Sequence, residues 1–112
     1  MKRITLALLA SGLALGTAAQ AAAPSGEAVY THWCAPCHAP GPGHPGTESL
    51  QVKYRGNPAA VLLERTDLTP QVVSTFVRQG VLLMAPFRKT EITDAELAAL
   101  AAFVAGNAGK AR

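Results

Sequence analysis

The chain carries two cysteines, both inside the pentapeptide Cys34-Ala35-Pro36-Cys37-His38. Two intervening residues set the sulfurs about one helical turn apart, and a histidine follows directly. That spacing is the attachment signature of a c-type haem. Each thiol can add to a haem vinyl group as a thioether, and the next residue supplies an imidazole for the iron. A stretch of five residues therefore asks for a fold that wraps one large flat group, and it makes Cys34, Cys37 and His38 the candidate cofactor-binding residues.

Three other readings use the same thiols. An exported chain with two cysteines ordinarily suggests a disulfide. Trp33-Cys34-Ala35-Pro36-Cys37 is also close to the redox motif of thioredoxins, where the first thiolate attacks disulfides. That motif follows a buried strand and opens a helix within a βαβ pattern, whereas residues 27–32 hold one valine and no strand-like run. A zinc site would draw on Cys34, Cys37 and two of His32, His38 and His44. The context favours the haem.

The first residues read as a leader. Lys2 and Arg3 form a positive start, an apolar run extends from Ile4 to Leu15, and Ala19-Gln20-Ala21 has the form of a cleavage site. Cleavage is expected after Ala21, because a cut after Ala23 would leave Pro24 just past the bond. The apolar run is shorter than the roughly 20 residues a membrane span needs, so no integral membrane segment is expected after cleavage. The expected mature chain, residues 22–112, is one small monohaem domain exported to the periplasm. Lys2 and Arg3 are two of the ten basic residues, so eight remain against seven acids. With no basic stripe, nucleic acid is excluded as a partner.

Taken in order, Ser25 is placed to cap a helix running to Trp33, with Glu27 in its first turn. Gly26 and Tyr30 are four apart and share a face. Residues 39–46 hold three prolines and three glycines and read as a rigid loop wrapping one haem face. The carbonyl of Pro42 is the expected acceptor for the free ring nitrogen of His38. His44 is a surface loop residue, with a second reading as an alternative iron ligand. Residues 47–56 read as irregular, and Lys53, Tyr54 and Arg55 are candidate donors to a haem propionate. Asn57-Pro58 predicts a short helix to about Glu64. Thr69-Pro70 predicts another, to Gln79, with Val72, Val73, Phe76 and Val77 as its apolar face.

Met84 is the second decisive residue. It is the sole methionine left after the leader, and it lies in a loop beside Pro86. A thioether suits the sixth position of a haem iron; the alternative is that Met84 only fills the core. Thr93-Asp94-Ala95-Glu96 is a capping box for a last helix reaching about Ala105, where Gly106 stops it. Its Leu97, Leu100, Phe103 and Val104 follow helical spacing, and its alanines allow close packing on the first helix.

With both ligands placed, the chain from about Gly26 to Val104 resembles the small class I c-type cytochromes. Gly26 and Tyr30 match that family's glycine and aromatic of the N-terminal helix, and Leu100 and Phe103 the apolar pair that crosses them. Cys34, Cys37, His38 and Met84 match the haem motif and distal ligand. In such proteins proline often follows the methionine directly, whereas Met84-Ala85-Pro86 delays it by one. The stretch 77–87 is also similar to the cytochrome subunits of alkylphenol-oxidising flavocytochromes, which take electrons from a flavin dehydrogenase. The resemblance implies an all-α cytochrome c-like fold of three to four short helices around one covalent haem c, with His38 and Met84 as axial ligands. It further implies an electron carrier rather than an enzyme, passing electrons from a dehydrogenase donor to an oxidase or cytochrome acceptor. A haem enzyme or gas sensor with a labile sixth ligand, and a thiol-disulfide oxidoreductase, are the remaining alternatives.

Overall fold

The structure, a computed structural model, describes residues 22–107. The expected leader and the cleavage after Ala21 lie outside the described residues, as does the tail past Asn107. Among the described residues there is no strand, and helices carry the fold, as the sequence predicts. No described helix is long and apolar enough to cross a membrane.

The first helical stretch, α1, spans residues 26–38: an α turn Gly26–Val29, a π turn Tyr30–Cys34 and an α turn Ala35–His38. Ser25 caps it, its Oγ accepting from the Ala28 N–H at 3.2 Å. The sequence predicts an end at Trp33, but the helix runs on through the whole cysteine motif. Pro36 does not break it, because it falls in the first turn of the last α segment, where its missing N–H costs little.

Helix α2, Pro45–Tyr54, replaces the irregular stretch expected for residues 47–56. Its apolar residues do not segregate to one face, so no helical period shows in the sequence. Capping decides instead. Pro45 presets the first turn, Glu48 lies near the positive helix end, and Arg55 in the left-handed region with Gly56 at φ 88° ends the helix. The helix expected over residues 58–64 is present only as a 3-10 turn, Leu62–Glu64. The Asn57-Pro58 bond is cis and Val61 is extended. A segment this short gains little from helical hydrogen bonds, whereas burying Ala60, Leu62 and Leu63 rewards an irregular path.

Helix α3, Pro70–Gln79, starts where expected, with Thr69 Oγ1 accepting from the Val72 N–H at 3.2 Å. Gly80 ends it with φ 70°. Of the expected apolar face, Val77 is buried and Phe76 is 41% exposed. Helix α4, Asp94–Asn107, opens on the expected capping box. The Thr93 N–H donates to Glu96 Oε2 at 2.8 Å, and the Glu96 N–H returns to Thr93 Oγ1 at 3.2 Å. Gly106 does not stop it: the Asn107 side chain donates to the Phe103 carbonyl at 2.7 Å and carries the last turn one residue further.

The core lies where α1 and α3 pack on α4. Val29, Tyr30, Val77, Ile92, Leu97, Leu100 and Val104 form it, and Ile92 and Leu100 are fully enclosed. Each large apolar side chain so buried contributes about 1.5–3 kcal/mol. A Cβ built on Gly26 would collide with the Ala99 carbonyl and Phe103, so the two helices cross at a contact only glycine allows.

Candidate functional site

The cysteine motif sits at the C-terminal end of α1. Cys34 is half-buried, Cys37 is exposed, and both are free thiols. Burial pushes the Cys34 thiol up to about 11, and the neighbouring Cys37 adds to the rise. A thiol held that high carries almost no thiolate near neutral pH. That is the reverse of the lowered value a nucleophilic redox cysteine needs. His38 is half-buried, and its burial holds the imidazole below the usual 6.5. The ring is therefore neutral at physiological pH and keeps a lone pair for a metal.

Two elements fix the His38 side chain and backbone. The Tyr30 hydroxyl donates to the His38 carbonyl at 3.3 Å. On the other side Gly46 presses on the ring: a Cβ there would stand 2.6 Å from His38 Cε1 and 2.8 Å from Nδ1 and from the Cys37 carbonyl. The expected hydrogen bond from His38 to the Pro42 carbonyl is not made. His38 Nδ1 is a buried atom with no partner. Gly41 and Gly43, at φ 94° and 86°, turn the loop by a route that leaves Pro42 exposed. The loop is instead tied down by its neighbours. Thr47 Oγ1 donates to the Ala39 carbonyl at 2.9 Å, and the Gly43 N–H donates to Glu48 Oε1 at 2.9 Å. His44 Nδ1 lies 3.1 Å from the Pro36 carbonyl, so this ring braces the motif.

Met84 closes a tight turn. The Val81 N–H donates to the Met84 carbonyl and the Met84 N–H to the Val81 carbonyl, both at 2.9 Å. The two residues at the tip, Leu82 and Leu83, are 90% and 98% exposed, and Leu82 takes φ 53°. Gly80 makes room for the turn, since a Cβ on it would stand 2.5 Å from the Met84 carbonyl and 2.9 Å from the Pro86 nitrogen. Past the turn, the Phe87 N–H donates to the Val77 carbonyl at 2.8 Å.

The first residue of the motif and the methionine segment border one core. Cys34 and Met84 pack against the same buried cluster. Trp33, directly before Cys34, stacks edge-on against Phe87, with ring centroids 5.6 Å apart. The donor set so assembled is two free thiols, one imidazole kept neutral with an unpartnered buried nitrogen, and one half-buried thioether. Residues of these types could hold a haem, Cys34 and Cys37 by its ring and His38 and Met84 by its iron. No group of three or more His, Cys, Asp or Glu residues able to hold a metal ion occurs among the described residues, which leaves the zinc reading without a site.

A family model described as cytochrome c oxidase, cbb3-type, subunit III matches residues 21–104. The chain belongs to this family. It is a small c-type cytochrome, a haem-based electron-transfer protein with the all-α cytochrome c-like fold. No curated protein and no solved structure matches the chain. Nothing in the family match singles out the alkylphenol-oxidising flavocytochromes.

The candidate propionate donors of this cytochrome lie on and beside α2, where they make contacts of their own. Lys53 and Arg65 each place their cation 5.0 Å from the centre of the Tyr54 ring, and Arg65 is buried and paired with Asp67. Arg55 is the exposed cap of α2. A cavity of about 570 Å3 opens between Gly41–Pro42, one side of α2 and the 56–64 segment. Its lining includes none of Cys34, Cys37, His38 or Met84, so it adjoins the motif loop without being the ligand-bearing surface. Sequence reasoning missed the Gly46 contact and the Trp33–Phe87 pair. A glycine placed just after a proline inside a presumed loop gave no hint that it lay on a ring. The only signal for the aromatic pair was its position, one residue before Cys34 and three after Met84.

Proposed function

We propose that this cytochrome is an exported single-haem electron carrier, with one haem bound covalently through Cys34 and Cys37 and with His38 and Met84 as the axial ligands. The observation that carries the reading is that Cys34 and Met84 each pack against one buried cluster, with Trp33 and Phe87 in edge-on contact beside them. A c-type haem supplies one-electron transfer between the ferrous and ferric states of its iron. The chain's residues do the rest. The two thiols anchor the ring, the half-buried His38 is held as the neutral imidazole with one ring nitrogen free to donate its lone pair, and the Val81–Met84 turn presents the thioether.

With both axial positions taken by protein, no substrate binds the iron, and the protein is a carrier. Its compartment is the periplasm, reached by a leader cleaved after Ala21. Its donor is a dehydrogenase, a flavin enzyme among the candidates, and its acceptor is an oxidase or another cytochrome. The family's printed description, an oxidase subunit, supports an oxidase on the acceptor side.

The experiment is a pair of Met84 variants read by reduction potential and visible spectrum. Met84→His replaces a thioether by a stronger donor that favours ferric iron, so the potential falls while haem stays attached. Met84→Ala opens the sixth position to cyanide. If Met84→Ala leaves spectrum and potential unchanged while His44→Ala alters both, the ligation reading is wrong. Intact mass of the exported protein tests the attachment: chain 22–112 plus one haem is expected, and the bare chain would refute it.

A further inference from the structure

Arg78 makes three hydrogen bonds that the carrier function does not by itself require. It sits in the last turn of α3, two residues before Gly80, and its side chain is largely enclosed, with 22% exposed. One guanidinium nitrogen donates to the Phe87 carbonyl at 3.2 Å. The other donates to the Ile92 carbonyl at 2.8 Å and to Asp94 Oδ1 at 2.9 Å. Asp94 is shared: its second oxygen accepts from Lys89 Nζ at 2.7 Å.

These acceptors lie at points along the chain that leaves the methionine turn. Phe87 is three residues past Met84, Ile92 is in the core, and Asp94 is the first residue of α4. Phe87 is thereby gripped on both sides of its backbone, its N–H by the Val77 carbonyl and its C=O by Arg78. At the other end the turn is closed by the reciprocal Val81–Met84 bonds. One planar fork can reach three acceptors at fixed angles, whereas a lysine amine is a single point without that geometry.

We infer that Arg78 is the positioning residue for Met84: it fastens the segment carrying the thioether to the start of α4 and sets how readily that segment lifts away. The inference rests on Met84 being an iron ligand. It also explains the placement of Asp94 and Lys89, which hold the fork in its orientation.

The test uses ferric holoprotein and imidazole as the probe. Imidazole binds only when Met84 leaves the iron, so its apparent affinity reports the population of the lifted segment. Arg78→Met keeps the side chain's length and removes its donors. The expected result is a rise of about tenfold or more in apparent imidazole affinity and a weaker long-wavelength band of the methionine–iron bond. Arg78→Lys should fall between Arg78→Met and the wild type. If Arg78→Met fails to fold, Asp94→Ala, which removes one acceptor, should shift the affinity in the same direction by a few-fold. Phe103→Leu serves as the control, because it loosens the α1–α4 crossing at Tyr30 without removing any partner of the Arg78 fork. An equal rise in Phe103→Leu at matched loss of Tm, or no rise in Arg78→Met and Asp94→Ala, overturns the inference. Met84→Ala is run in parallel. If it leaves the spectrum and imidazole affinity of the wild type unchanged, ligation by Met84 itself has failed and the inference falls with it.

Discussion

Replacing Gly46 by alanine separates two forces of opposite sign. Gly46 occupies the first turn of α2, and alanine in place of glycine there lowers the entropy of the unfolded chain, a gain of about 0.4–1 kcal/mol. The new methyl, however, would stand 2.6 Å from His38 Cε1 and 2.8 Å from His38 Nδ1 and the Cys37 carbonyl. None of these atoms is the free end of a flexible side chain. The ring is packed and the carbonyl is backbone, so the overpacking costs about 1–3 kcal/mol. The clash wins, by about 1 kcal/mol, and for a domain of this size Tm falls by roughly 4–8 °C. Gly106→Ala is the internal control. Gly106 is helical, and a Cβ there meets nothing within 4 Å, so the same substitution should raise Tm. Thermal unfolding of the holoprotein followed by circular dichroism measures both. A Gly46→Ala protein as stable as the wild type, beside a stabilised Gly106→Ala, would show that α2 does not press on His38.

Leu100 is fully enclosed, and Leu100→Ala should cost about 2–5 kcal/mol, visible as the largest drop in denaturant midpoint of any single core truncation in α4. The Arg65 hydrogen bond, 2.8 Å from Nε to Oδ1, holds the Asp67 carboxyl below its usual 3.8. A carboxyl lowered in the fold stabilises it above the unfolded value and loses that contribution as pH falls through the folded one. Asp67→Asn should therefore flatten the stability profile below about pH 4 and leave it unchanged at neutral pH in shape; an unaltered acid limb would contradict this. The chain made without haem attachment should show little helical signal, because its helices are near or below the roughly 12–15 residues that stand alone only marginally in water. A cooperative melt of that apoprotein would refute the expectation.

The parts legible in the sequence were those with a local chemical cause. Ser25, Thr69 and the Thr93/Glu96 pair each announce a helix start through a side chain that satisfies a backbone N–H, and each does so in the structure. Leu97, Leu100 and Val104 announce the buried face of α4 by their spacing. Helix α2 was not legible, since its polar and apolar residues alternate without a helical period. The Pro42 acceptor failed for a different reason. A Gly-Pro pair specifies that the chain turns, while the direction its carbonyl points depends on φ at Gly41 and Gly43, which sequence leaves free. The role of Arg78 is not legible in the sequence, because its acceptors come from three later positions that only the fold brings together.

Helix α2 has one buried residue, Thr47, and that residue's hydroxyl is spent on the Ala39 carbonyl. No apolar side chain of α2 belongs to the buried core cluster. What holds α2 is a set of contacts to the cysteine motif and its loop: Thr47 to Ala39, Glu48 to Gly43, His44 to Pro36 and Gly46 on His38. The opposite half, α1 on α4 with α3, is held by the core. Stability is therefore divided unevenly, and the half with few buried apolar contacts depends on how rigidly residues 34–38 are fixed. Covalent attachment at Cys34 and Cys37 would fix them at the point from which α2 is suspended. In this cytochrome the cysteine motif and the helix with the fewest core contacts are tied together, so amide exchange in α2 is expected to slow more than exchange in α4 once thioethers form at Cys34 and Cys37.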